Sequence, residues 1–166
     1  MSAPRPRRCY EPGHKPKFLV VVDEADETDR ALYFAARRAA RVGAAVTLLA
    51  TFSPGEFQHW FGVGEVAREE AEAESSARLA RFAARARDMA GVEAEAVVRK
   101  GDRSEELRRL IDEDEDVALL VLAASAGGKG PGPLVSALAQ ESAGAFPVPI
   151  VVVPGALTDE EIDRLA

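Results

Sequence analysis

Short apolar runs alternate with stretches in which apolar residues return every third or fourth position. Phe18–Val22 is wholly apolar and ends at Asp23, which predicts a buried strand over Lys17–Asp23. Leu32, Ala35, Ala39 and Val42 recur at helical spacing, so a helix is expected over about residues 28–42. Asp26 or Thr28 is placed to cap it and Gly43 to end it. Ala44–Phe52 is a second apolar run. The segment 63–90 carries Leu79, Phe82, Ala86 and Met89 on one side and is expected to form the longest helix, stopped by Gly91. Val92–Val98 alternates apolar and charged residues, as a strand wet on one side at a sheet edge does.

Asp102 followed three residues later by Glu105 marks another helix start, with Leu107, Leu110 and Ile111 turned inward. The five acids Asp112–Asp116 read as a solvated turn: consecutive carboxylates diverge, and no histidine accompanies them to make a metal site. Val117–Ala123 is fully apolar and therefore central. A helix is expected from about 134 to 145, a last strand at Ile150–Val153, and a terminal helix opened by a Thr158/Glu161 capping box. Strand and helix alternate four times before a fifth strand, which calls for one α/β domain with an open five-stranded parallel sheet and helices on both faces. Order 3-2-1-4-5 puts the apolar strands side by side at the centre and the wet strand at an edge. The switch point then falls between strands 1 and 4, beside Glu24–Thr28 and Ala124–Pro133, where an open sheet binds ligands.

Composition fits a globular domain: 47% of residues are apolar and 30% charged, enough for a core under a solvated surface. No apolar run reaches the roughly 18–20 residues that span a bilayer. Residues 1–16 are expected to be a flexible basic arm and residues 17–166 the domain. Through Lys17 the arm carries Arg5, Arg7, Arg8, Lys15 and Lys17 against Glu11, a net of +4, which leaves −11 on the rest of a chain whose formal total is −7. That acidic body disfavours nucleic acid and anionic membranes as partners. The arm is also no secretory leader, since Cys9–His14 is not apolar. Cys9 is the single cysteine, which excludes an internal disulfide framework and fits a reducing, cytoplasmic location.

Catalytic signals are missing where they would be expected. Histidine occurs only as His14 and His59, Ser125 and Ser136 lack an adjacent base, and Gly128-Lys129-Gly130 lacks the spacing and hydroxyl of a P-loop. Zinc ligation is excluded by the same count. No enzymatic activity is expected. What stands out is the run from Val117 to Gly132, an apolar strand entering a loop with Gly127, Gly128, Gly130 and Gly132. Such a loop lets backbone amides close on an anion. Phe57, Trp60 and Phe61 form an aromatic cluster in the 53–62 loop that can lie over the core, cover the cleft or meet a protein partner.

Four segments together resemble the universal stress protein family. Val20–Leu32 is similar to the family's "V-D-x-S-x-x-S-x-x-A-L", with Asp23, Thr28 and Ala31-Leu32 in place. Lys100–Leu107 is similar to "G-D-P-x-E-x-I". Ala118–Val121 with the glycine loop is similar to "D-L-I-V-M-G-S-x-G", and Pro147–Val153 to "P-C-P-V-L-V-V". The resemblance covers about residues 18–154. It implies a flavodoxin-like, adenine nucleotide alpha hydrolase-like fold, a role in stress response, and a homodimer formed through the last strand, here Ile150, Val151, Val152 and Val153. An apolar edge strand left unpaired is a liability, which supports a partner there.

Some family members bind ATP through G-x2-G-x9-G-[ST], and others lack the pattern. Here its first two glycines fall on Ala124 and Gly127 and its final pair on Ser136-Ala137, with the spacing one residue short. The alternative registration, Gly127 with Gly130, puts Gln140-Glu141 at the final pair. The resemblance implies a nucleotide site built from Asp23, Thr51, Ala124, Gly127, Gly128, Lys129, Gly130, Ser136 and Ala137, with ATP as the cofactor. Two functions stay open: a nucleotide-responsive regulatory module, and a ligand-independent interaction protein of the same fold.

Overall fold

The computed structural model of the chain describes residues 5–53, 64–127, 130 and 132–166. Five parallel strands, β1 (Lys17–Val21), β2 (Ala45–Phe52), β3 (Ala94–Lys100), β4 (Val117–Ala124) and β5 (Ile150–Pro154), form one sheet in the order β3-β2-β1-β4-β5. This is the order that apolar content predicts. The helices are α1 (Thr28–Val42), α2 (Gly64–Ala90), α3 (Arg103–Glu113), α4 (Pro133–Ser142), extended by a 3-10 turn at Ala143–Ala145, and α5 (Asp159–Leu165).

The two-residue period of β1 builds both cores. Phe18, Val20 and Val22 face one layer, where they pack with Leu32 and Ala35 of α1, Leu79 of α2 and Ile162 of α5. Leu19 and Val21 face the other, with Leu107 and Ile111 of α3 and Leu138 of α4. Each face of a central strand is therefore covered, which is why its sequence is uniformly apolar.

The local signals explain the boundaries. Gly43 takes φ 73° after α1, and its amide bonds to the Ala39 carbonyl. Asp102 accepts from the Glu105 amide at the start of α3, and Thr158 and Glu161 complete a reciprocal capping box on α5. Two expectations are corrected. The N-cap of α1 is Glu27, which makes no side-chain cap; Thr28 instead turns its hydroxyl to the Asp23 carboxylate. β3 begins two residues later than its pattern suggests, because Val92 is buried in the core ahead of the strand and pairing with β2 runs from Val46–Ala94 to Phe52–Lys100.

The basic N-terminal segment, expected as a flexible arm, is held along the start of β4 over residues 5–16. The Arg8 amide bonds to the Glu115 carbonyl and the Lys17 amide to that of Asp116, both at 2.9 Å. Arg7 Nη1 donates to the carbonyls of Ile111 (2.6 Å) and Asp114 (3.0 Å). The run Asp112–Asp116 is thus the arm's docking site rather than a merely solvated turn.

Candidate functional site

The carboxyl ends of the central strands open into two adjoining cavities. The larger, about 580 Å³, lies over β1, β2 and β3 and under α2. Its walls are the β1 exit (Asp23, Glu24), the β2 exit (Thr51, Ser53), Glu74, Ser75 and Arg78 of α2, and the turn Gly101-Asp102-Arg103. That volume lies within the range of small-molecule sites. The smaller, about 130 Å³, lies at the β1/β4 switch point, between Thr28 of α1 and the opening of α4 at Gly132–Val135. Asp23, Ala25 and Arg103 line both.

Asp23 stands at the junction. One carboxylate oxygen accepts from the Ala25 amide (2.9 Å) and from the Thr28 hydroxyl; the other faces Arg103 Nη1 at 3.4 Å. Arg78 reaches Glu24 (3.3 Å) and Glu74 (3.4 Å) across the larger cavity. The described lining of the two cavities holds five carboxylates, Asp23, Glu24, Glu27, Glu74 and Asp102, and two arginines, Arg78 and Arg103. Among the described residues no three His, Cys, Asp or Glu side chains converge as a metal site would require, and no helix is long and apolar enough to cross a membrane.

The sequence model of the universal stress protein family matches residues 16–154. The chain belongs to that family. No curated protein matches the sequence. Solved structures similar to it include the universal stress protein UspA from Lactobacillus plantarum, 19% identical, with 83% of this chain and 97% of that one covered at a TM-score of 0.68. A universal stress protein in complex with cAMP is 20% identical over 85% of this chain and 98% of the other, with a TM-score of 0.60. The universal stress protein of Archaeoglobus fulgidus in complex with dAMP is 17% identical over 83% and 96%, at 0.55. At these identities the likeness speaks for the fold.

Within this universal stress protein the expected site residues are spread over the ends of β1, β2 and β4, the loop after β4 (where Gly130 takes φ 87°) and the first turns of α4. Asp23 and Thr51 line the larger cavity. Ala124 ends β4, and its carbonyl accepts from the Gly155 amide at 2.8 Å. Gly155 is a close approach that the family motifs do not flag: a Cβ there would lie 2.4 Å from the Ala124 oxygen, so the turn after β5 is pressed on the start of the glycine loop. Ser136 and Ala137 lie within α4, as the helix expected from about residue 134 places them. The Ser136 amide is spent on the Gly132 carbonyl at 3.0 Å, so it is not presented to an anion.

The turn into α4 falls earlier, at Gly132, whose φ of 102° only glycine adopts readily, followed by Pro133, which has no amide hydrogen. Leu134 and Val135 then line the smaller cavity with apolar groups. Gly127 makes no comparable demand, because its φ is not positive and a Cβ there would meet nothing within 4 Å. Gly128 and Lys129 lie outside the described residues, as do Phe57, His59, Trp60 and Phe61.

Arg103 and Arg78 are the functional candidates that motif reading passes over. Arg103 occupies the place of the proline in the family's "G-D-P", and it follows β3, so its turn had to open on the cleft side of the sheet. Arg78 sits on the face of α2 one turn after Glu74, a spacing that reads as an ordinary solvated pair until the sheet beneath it is known.

Proposed function

We propose that this protein is a regulatory module that takes an adenine nucleotide across the two cavities and dimerises through β5. The observation that carries the reading is the position of Asp23: a carboxylate at the switch point, shared by a ligand-sized cavity and a smaller one that opens on the glycine loop. Solved relatives of the same fold bound to cAMP and dAMP support this choice of ligand class. ATP, the cofactor the motif implies, fits the charge less well, since the described walls hold more carboxylates than arginines. Asp23 and Thr51 take the base and ribose side in this reading, and the loop 124–132 with the opening of α4 takes the phosphate side. The module works by binding and not by catalysis, in a reducing cytoplasm that keeps Cys9 a thiol.

Isothermal titration of nucleotide-stripped protein with adenosine, AMP, cAMP and ATP tests this. Micromolar binding of at least one of them, lost on filling the larger cavity with Ala71→Trp, is the expected result. Absence of heat with all four up to millimolar concentration sinks it. That outcome would favour a ligand-independent interaction module, a reading with one observation behind it: Asp23 has three partners within the chain, so its carboxylate is satisfied without a ligand.

A further inference from the structure

Arg103 and Arg78 are the cations among the described residues that line the cavities, and they are not equally committed. Arg78 is held between Glu24 and Glu74, and its side chain is only 13% exposed. Among the described residues Arg103 has a single carboxylate partner, Asp23, at a long 3.4 Å, and its side chain is 38% exposed. It also borders both cavities. A guanidinium so placed can turn from Asp23 to a ligand phosphate without leaving a buried charge behind, because Asp23 keeps its bonds from Ala25 and Thr28. A phosphate can moreover engage the guanidinium fork in two parallel bonds, whereas Asp23 offers it one oxygen, the other being taken by Ala25 and Thr28.

The rest of the lining limits how much negative charge can enter. Asp23, Glu24, Glu74 and Asp102 surround the larger cavity, Glu27 borders the smaller, and the wall of the smaller beside α4 is Pro133, Leu134 and Val135. Among the described residues of that wall no cationic side chain meets a second or third phosphate, and Pro133 has no amide hydrogen to offer one.

We propose that Arg103 sets the ligand class of this chain: it exchanges Asp23 for the one phosphate of an adenine mononucleotide, so that mononucleotides bind and triphosphates are excluded. This rests on the adenine-nucleotide reading above. It adds an ordering among ligands and a residue that enforces it.

The experiment is the same titration series carried out on the wild-type protein, Arg103→Ala and Arg103→Lys, with thermal melting of each variant to establish that it is folded. In the wild type, AMP or cAMP binds about tenfold or more tighter than adenosine, and ATP binds more weakly than the better of the two. The AMP and cAMP arms decide whether the phosphate is terminal or cyclic. Arg103→Ala brings the mononucleotide down to the affinity of adenosine and leaves adenosine itself unchanged or tighter, because Asp23 is released. Arg103→Lys, which keeps the charge and loses the fork, retains part of the difference. Equal weakening of adenosine and mononucleotide in Arg103→Ala makes the arginine merely structural and overturns the proposal. So does ATP binding tightest. If adenosine binds and a phosphate adds nothing, the proposal fails while the nucleoside site stands. If no adenine compound binds, both fail together.

Discussion

Tyr33 shows how much of this fold's polar chemistry is structural. The ring is 5% exposed, yet the guanidinium carbons of Arg30, Arg37 and Arg85 lie 5.3, 5.5 and 5.6 Å from its centroid. Three like charges share one ring because each is compensated: Asp29 accepts from Arg30 at 2.5 Å and from Arg85, Arg30 reaches on to Asp159 of α5 at 2.6 Å, and Arg37 pairs with Asp163 of α5 at 2.9 Å. Partial burial works against the Asp29 charge, but the hydrogen bonds from Arg85 and Arg30 outweigh it and hold the carboxyl below the usual value. A carboxyl whose folded pKa is depressed adds stability that is complete above the unfolded pKa of about 3.9 and is lost as pH falls through the lower folded value. Asp29→Asn should therefore cost about 1–3 kcal/mol at pH 7. Its deficit relative to wild type should shrink as the pH is lowered below about 4. Urea unfolding at both pH values measures this, and a deficit independent of pH would assign the loss to geometry rather than to charge.

At the scale of elements, the docked N-terminal segment repairs a defect in α3. The last turn of that helix carries no basic residue, so its terminal carbonyls lack an internal cation. Arg7 supplies one from outside by donating to Ile111 and Asp114. Lys17 adds contacts to Asp114 (2.7 Å) and Glu95 (3.2 Å); burial works against its charge, but these bonds outweigh that and raise its pKa. The segment buries Cys9 to 5% exposure, and desolvation is the main reason its thiol pKa is raised. Arg7→Ala should lower stability by about 1–2 kcal/mol. It should also speed labelling of Cys9 by a disulfide reagent at pH 8, where the wild-type thiol is both covered and protonated. An unchanged labelling rate would mean that the backbone bonds alone keep the segment in place.

Periodicity places every strand and helix and their order, because it reports burial directly. It does not report this docking. A net of +4 on one segment and five acids in a row on another are each unremarkable, and only the sheet brings them together. The candidate site divides in the same way. Asp23 is named through its resemblance to the aspartate that follows the family's first strand, and it lines both cavities. Arg103 and Gly155 were not legible, because their meaning depends on which turns crowd the same end of the sheet.

At the scale of the whole molecule, one main-chain edge of β5 has no strand beside it among the described residues. β4 pairs with one side of β5, from Leu120–Ile150 to Ala124–Pro154, and β5 is the terminal strand of the sheet. Val152 lies 42% exposed on this edge strand, in a run of branched apolar residues with no charge to discourage a second strand. β3, at the opposite edge, carries Glu95, Arg99 and Lys100, the kind of charged edge that resists pairing. The asymmetry supports β5 as the interface of the dimer proposed above, a closed twofold arrangement in which each edge would satisfy the other. Val152→Lys, which puts a like charge on both sides of such an interface and leaves the β4–β5 ladder intact, should shift the protein from dimer to monomer in light scattering at micromolar concentration. Far-UV circular dichroism should be unchanged. A dimer that survives this substitution would place the interface elsewhere. A wild-type monomer at the same concentration would show that the edge is protected without a second copy.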